Sequence, residues 1–330
     1  MKMEIIIGMK IHRRNDTIDI AKGVGVALVI MGHTPSIVPE IIRNWISIFH
    51  MPLFFFLAGY FADYGMDKPS KSLKKSIKGL LLPYVIYSLI FSAVLYAESA
   101  FDKQILFSNL HDTIIGKGGG TQALYFFFVL FLIRLIHLSV SIVFSKGNDK
   151  KLIIATCIIV IAGFLIRTHD DSILFFIGFA MYFFGYYQIG RFYKYYKRDV
   201  FVATENKAKL LVTSVGLFVL AVIIYRITDA YDIFGACSCT ARADILVCYF
   251  AAMLNIFGVA FLSRCLDKTV LGKIAAFVGR NTRYYYPLTN FIPIALRPYL
   301  EGGVFANIAK IFFSFAVPTI LSYWRERQEK

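Results

Sequence analysis

Four side chains near the start of the chain carry chemistry that an apolar stretch does not ordinarily hold. Asp19 and Lys22 sit three residues apart, and His33 follows eleven residues after Lys22, all inside or beside a run of aliphatic residues. Spacings of three and eleven fall on one face of an α-helix, so Asp19 can pair with Lys22 and His33 lies about 16 Å further along the same face. His50 opens the next apolar run, Ile48-Phe49-His50-Met51-Pro52, at a depth like that of His33. Ionisable groups in hydrocarbon are costly, which makes each a functional candidate. A neutral imidazole takes up a proton near neutral pH, so two of them at one cavity suit general-base activation of a hydroxyl. The alternative for each histidine is packing, with the ring bound to a backbone carbonyl. That alternative weakens for His33, which has Lys22 and Asp19 below it and His50 opposite. It prevails for His137, near the inner end of its run, and for His12, His111 and His169, which fall in tails or loops.

The elements that position these residues are membrane helices. The 330-residue chain is 58% hydrophobic and only 17% charged, against roughly 25% charge in a soluble domain. A bilayer removes the need for a polar surface. Tyrosine pairs such as Tyr186-Tyr187 and Tyr195-Tyr196 suit the headgroup region, where an amphipathic ring is half wet. A span needs about 20 mostly apolar residues. Such runs lie near 18–37, 46–64, 80–97, 122–144, 152–166, 172–190, 210–227, 243–263, 274–295 and 303–323. The fifth is short, and the ninth is interrupted by Arg280, Asn281 and Arg283. The expectation is therefore an all-α, polytopic bundle of about ten transmembrane helices in a single domain over 1–330, with no separate soluble part. No cleavable signal peptide is expected, because the first long apolar run follows His12-Arg13-Arg14.

The net charge of +15 would suggest nucleic-acid binding in a soluble protein. Here the basic residues punctuate apolar runs and form no stripe, which excludes that reading. They alternate instead. Lys71, Lys74, Lys75 and Lys78, then Lys146, Lys150 and Lys151, then Arg191, Lys194 and Lys197 fall on one side, with few cations in the intervening segments. That pattern puts both termini in the cytoplasm of a bacterial inner-membrane protein. Arg134 and Lys310 read as snorkelling or bundle-paired residues. The longest outer loop, from Glu98 to Gln122, holds Gly118-Gly119-Gly120, which reads as a flexible segment. Cys157, Cys248 and Cys265 read as small core residues. Cys237 and Cys239 are too close for an easy disulfide and have no further ligands nearby, so no metal site is expected.

Asp19-Ile-Ala-Lys22-Gly23 leading to Gly32-His33, and Phe49-His50-Met51-Pro52-Leu53-Phe54-Phe55 through Gly59-Tyr60, resemble the acyltransferase family 3 membrane proteins, and among them the fucose 4-O-acetylase-like branch. The family's basic-x10-His motif falls on Lys22 and His33. Lys74-Lys75-Ser76-Ile77-Lys78 through Pro83-Tyr84 resembles the basic run and Pro-Tyr that open the family's third helix. Val278-Gly279-Arg280-Asn281-Thr282 resembles its late Gly-Arg-Asn segment. The detailed match runs from the start of the chain through Tyr84. One departure is plain: three residues after Tyr286, where the family often has His, stands Thr289.

The resemblance implies transfer of an acyl group, usually acetyl, from cytoplasmic acetyl-CoA to a sugar hydroxyl of a surface polysaccharide or its lipid-linked precursor. His33 would be the general base and His50 its companion. Asp19, Lys22, Lys74, Lys75 and Lys78 would hold the acyl-CoA, whose anionic phosphates gather at a lysine-rich face. Positive-inside topology alone also accounts for the last three. Arg280 and Arg283 would line the same pore or mark an inner helix end. Two further readings fit membrane histidines: a secondary transporter of a small solute or glycan unit, against which no repeat relates the two halves of the chain, and a non-catalytic partner in polysaccharide assembly.

Overall fold

A computed structural model describes residues 16–34, 37–62, 69–144, 149–167, 173–196, 206–228, 242–296, 298–300 and 303–328. Cys237, Cys239, His12 and His169 lie outside them. Among the described residues the chain is entirely helical, without strands. Thirteen α-helices follow one another: α1 (Asp16–Gly32), α2 (Glu40–Tyr60), α3 (Pro69–Ser76), α4 (Leu82–Glu98), α5 (Lys103–Ile115), α6 (Tyr125–Val143), α7 (Asp149–Arg167), α8 (Ile173–Tyr195), α9 (Lys207–Thr228), α10 (Arg242–Leu266), α11 (Val270–Arg280), α12 (Thr282–Ala295) and α13 (Val304–Gln328). Six stretches of these helices are long and apolar enough to cross a membrane by length and composition: Glu40–Tyr60, Pro69–Glu98, Tyr125–Val143, Lys207–Ile224, Val247–Leu266 and Phe305–Gln328. They mark a multi-pass membrane protein. Rows of exposed aliphatic residues, such as Ile154, Ile158, Ile161 and Leu165 on α7, are what a lipid-facing helix requires.

Among the described residues, most of each of the ten apolar runs is helical, with instructive differences. The run at 274–295 is two helices broken at Asn281. Asn281 returns its amide to Phe277 O at 3.1 Å, and Thr282 Oγ1 donates to Gly279 O at 2.6 Å. Thr282 thus gives the Gly279 carbonyl a partner at the break, and Asn281 adds a second bond to a carbonyl that already accepts from its own N–H. The run at 80–97 extends backwards: α3 passes into α4 through one wide turn, Ile77–Leu81, in which Leu82 N–H reaches Ile77 O five residues earlier. Pro83 explains the widening. Its ring would strike the Gly79 carbonyl and it offers no N–H, and a wider turn relieves both.

The segment from Glu98 to Gln122 is not an open loop. Asp102 accepts a hydrogen bond from Gln104 N–H at 2.8 Å, and Gly116, with φ +94°, ends the helix. Between these caps α5 packs along α4, and it carries His111 on a helix rather than in a loop. The three glycines that follow are packed, not flexible. Gly118 and Gly119 are buried, and Gly118 and Gly120 have φ of +88° and +80°. Buried Tyr84 fastens this turn. Its hydroxyl donates to Thr113 O at 2.7 Å and accepts from Gly118 N–H at 3.2 Å.

Two helix pairs meet backbone to backbone. Gly23 of α1 lies against Ala275 of α11, and Gly279 of α11 against Asp19 of α1. Gly59 of α2 lies against Tyr187 of α8, and Gly190 of α8 against Phe56 of α2. Close approach of this kind is what small residues permit between membrane helices. Phenylalanines fill the space around α2: Phe55 stacks on Phe183 with ring centroids 4.7 Å apart, and Phe54 meets Phe126 and Tyr286 edge-on. Of the three cysteines expected in the core, Cys248 is buried, Cys265 is half-buried and Cys157 is exposed on α7, so Cys157 is not a core residue.

Candidate active site

The polar residues of α1 and α2 occupy two levels. At the start of α1, the Asp19 carboxylate is 2% exposed and lies 3.3 Å from Lys22 Nζ. The same Nζ sits 4.3 Å from the centre of the Phe61 ring, at the end of α2. A carboxylate and an aromatic face thus hold the ammonium in place. Just beyond, Arg280 Nη1 lies 3.7 Å from Asp16 Oδ1. Arg280 therefore marks a helix end, and the late Gly-Arg-Asn-Thr segment is the surface against which α1 is fixed.

At the other level, His33 directly follows α1 and His50 lies in α2. Gly32 leaves room for Ile46, whose Cγ2 would be 3.4 Å from a Cβ there. The Ile46 carbonyl is bound by His50 Nδ1 at 2.9 Å. A carbonyl only accepts, so Nδ1 carries the proton and the bond to Ile46 fixes the orientation of the ring. His50 lies within electrostatic range of His33. His33 is exposed as a residue and its ring makes no hydrogen bond to any described residue. The spacing read from the sequence thus corresponds to two histidines brought together by antiparallel helices, with Lys22 about 16 Å away along α1.

Lys74, Lys75 and Lys78 are exposed on α3 and the wide turn. α3 packs on α6, whereas α1 packs on α2, α10, α11 and α12. No hydrogen bond or ion pair brings these three lysines to Lys22. Thr289 is buried and its hydroxyl donates to Tyr286 O at 2.9 Å, a local bond that leaves it a packing residue. Tyr286 itself donates to Met51 Sδ at 3.7 Å, so α12 does reach the residue beside His50. His137 departs from its expected carbonyl-bound state: it is buried and its Nδ1 has no partner.

One pair near this level escaped the reading of the sequence. Trp45 Nε1 donates to Asn255 Oδ1 at 2.9 Å, joining α2 to α10 one turn from His50. Asn255 is fully buried, and a lone amide in the middle of an apolar run was the available signal.

The acyltransferase domain model of acyltransferase family 3 matches residues 15–324, and the chain belongs to that family. No curated protein and no solved structure matches it.

Proposed function

We propose that this chain is an O-acetyltransferase of the bacterial inner membrane, akin to the fucose 4-O-acetylase-like branch of its family. It takes acetyl from cytoplasmic acetyl-CoA and delivers it to a sugar hydroxyl of a surface polysaccharide or its lipid-linked precursor. The observation that carries this reading is the arrangement on α1, with an anchored cation at one level, an imidazole at the other, and His50 beside that imidazole.

With both termini in the cytoplasm, Lys22 faces the side from which acetyl-CoA arrives. Its ammonium contacts a phosphate or the polar pantetheine amides, with Asp19 fixing its position. The exposed Lys74, Lys75 and Lys78 raise the local concentration of the anion. The thioester then extends along α1 towards His33, a distance that suits the pantetheine arm. His33 removes the proton of the acceptor hydroxyl as the oxygen attacks the thioester carbonyl. The tetrahedral intermediate collapses with loss of the CoA thiolate, which takes up the proton, leaving a sugar ester and free CoA. His50, its tautomer set by Ile46, offers Nε2 as an acceptor that orients His33 or the incoming hydroxyl.

Binding of radiolabelled acetyl-CoA to the purified protein in nanodiscs tests this reading. Saturable binding that weakens in Lys22→Ala supports it. Absence of specific binding in a folded preparation overturns it and favours a transporter.

A further inference from the structure

α6 and α8 bury a second set of polar groups that the mechanism above does not use. His137 is 1% exposed and Gln188 is fully buried. The His137 ring lies 5.3 Å from that of Tyr187, the neighbour of Gln188. One turn further, buried Arg191 donates from Nη1 to Gln188 Oε1 at 3.4 Å. That contact takes the amide oxygen and leaves the amide NH₂ to find an acceptor. It finds none: Gln188 Nε2 and His137 Nδ1 are both shielded from solvent and have no hydrogen-bond partner. Arg134 and Arg191 both lie within electrostatic range of His137. Neither α6 nor α8 contains an aspartate or glutamate.

Buried donors without acceptors are rare, and each calls for a ligand or some other compensation. An amide N–H, guanidinium groups and an imidazole in its Nδ1–H tautomer share one complement, an oxyanion with several acceptor oxygens. The position favours an approach from the Lys22 level. The Gly59–Tyr187 and Gly190–Phe56 contacts clamp α8 to the last turn of α2. There Phe61 underlies Lys22, and Tyr60 lies 6.0 Å from Lys194 Nζ, one turn beyond Arg191. Lys22 and Lys194 therefore both border the end of α2, and Arg191 lies one turn before Lys194 on α8.

We propose that His137, Gln188 and Arg191, with Arg134 adding charge, form a binding niche for a phosphate or phosphoanhydride group. The group is carried by the acyl donor or by an anionic lipid. The donor alternative rests on the acetyl-CoA reading above, whereas the niche itself does not.

The test uses the full chain in nanodiscs, with Gln188→Leu and His137→Phe, each checked by thermal melting. Gln188→Glu is added because it keeps the volume and replaces a donor by an acceptor. Binding of CoA is compared with that of S-acetylpantetheine, which lacks phosphates. In parallel, the stabilisation conferred by phosphatidylglycerol over a zwitterionic lipid is measured. A donor phosphate in the niche predicts that CoA affinity falls about tenfold in each variant, and further in Gln188→Glu, while S-acetylpantetheine binding is unchanged. A lipid phosphate predicts unchanged CoA binding and loss of the phosphatidylglycerol effect. If folded variants change neither, the niche is refuted. If the wild type binds no CoA, the acetyl-CoA reading fails, and the lipid arm alone decides for or against the niche.

Discussion

Gly279 of α11 and Gly23 of α1 face each other so closely that a Cβ on Gly279 would lie 3.0 Å from the backbone nitrogen of Gly23. The obstacle on both sides is main chain, which cannot rotate away. Lys22, immediately before Gly23, is therefore placed by a motif more than 250 residues further on. Replacing Gly279 by Val must push α11 off α1 and break the Arg280–Asp16 contact, at a cost of about 3 kcal/mol or more. Thermal unfolding in detergent should show a clearly lowered midpoint. An unchanged midpoint would mean that the two helices do not meet as described.

Tyr84 supplies a second structural test. Tyr84→Phe keeps the ring against Phe128 but removes the hydroxyl that joins Thr113 O to Gly118 N–H, leaving Thr113 O the 3.4 Å bond from Gly116 N–H and Gly118 N–H the 3.2 Å bond to Asp112 O. Loss of such a hydrogen bond costs about 1 kcal/mol. Faster hydrogen exchange is expected first at 113–121, the turn between α5 and α6, with the rest of the bundle little affected.

Lys22 is held by Asp19 on one side and Phe61 on the other. Lys22→Arg preserves the charge and stacks on an aromatic face at least as well, so it should retain most of the activity. Lys22→Ala removes the cation and leaves the Asp19 carboxylate buried without its ammonium. The Michaelis constant for acetyl-CoA should rise roughly tenfold with a smaller change in kcat. Asp19→Asn should lower both stability and acetyl-CoA affinity, because the fixed position of the ammonium is lost.

His50→Asn separates positioning from packing. The asparagine amide stands near the place of Nδ1 and can keep the bond to Ile46 O, while the acceptor at Nε2 disappears. The protein should fold normally, and kcat should drop on the order of a hundredfold with little change in the acetyl-CoA Michaelis constant. A Michaelis constant that rises with kcat unchanged would instead place His50 in donor binding.

The arrangement of the candidate residues on α1 and α2 was legible because its logic is local. Three-residue and eleven-residue spacings on one helix, and a histidine opening the next apolar run, need no knowledge of tertiary contacts. The helical class followed from composition for the same reason. What escaped depends on pairs far apart in the chain. Nothing in the order of residues says that Trp45 meets Asn255, that Phe61 underlies Lys22, or that Arg280 belongs to Asp16 rather than a pore. The glycine run after α5 looked flexible because glycine permits disorder, yet here positive φ and contact with Phe91, Ser92 and Thr113 require it. α5 itself was readable, from Asp102 at its start and Gly116 at its end, but its weak apolar pattern concealed it within a supposed loop. The exposed Lys74, Lys75 and Lys78 show the limit of a charge cluster as evidence, since topology and ligand binding ask for the same residues.

The central claim is that His33 activates an acceptor for attack on acetyl-CoA. Its most direct test is single-turnover consumption of acetyl-CoA by membranes containing their native acceptor, comparing wild type with His33→Ala at matched expression and equal CoA binding. The account predicts transfer of label to the carbohydrate fraction by the wild type, and a loss of at least a hundredfold in rate for His33→Ala with binding intact. Label transfer at an undiminished rate in His33→Ala would contradict it.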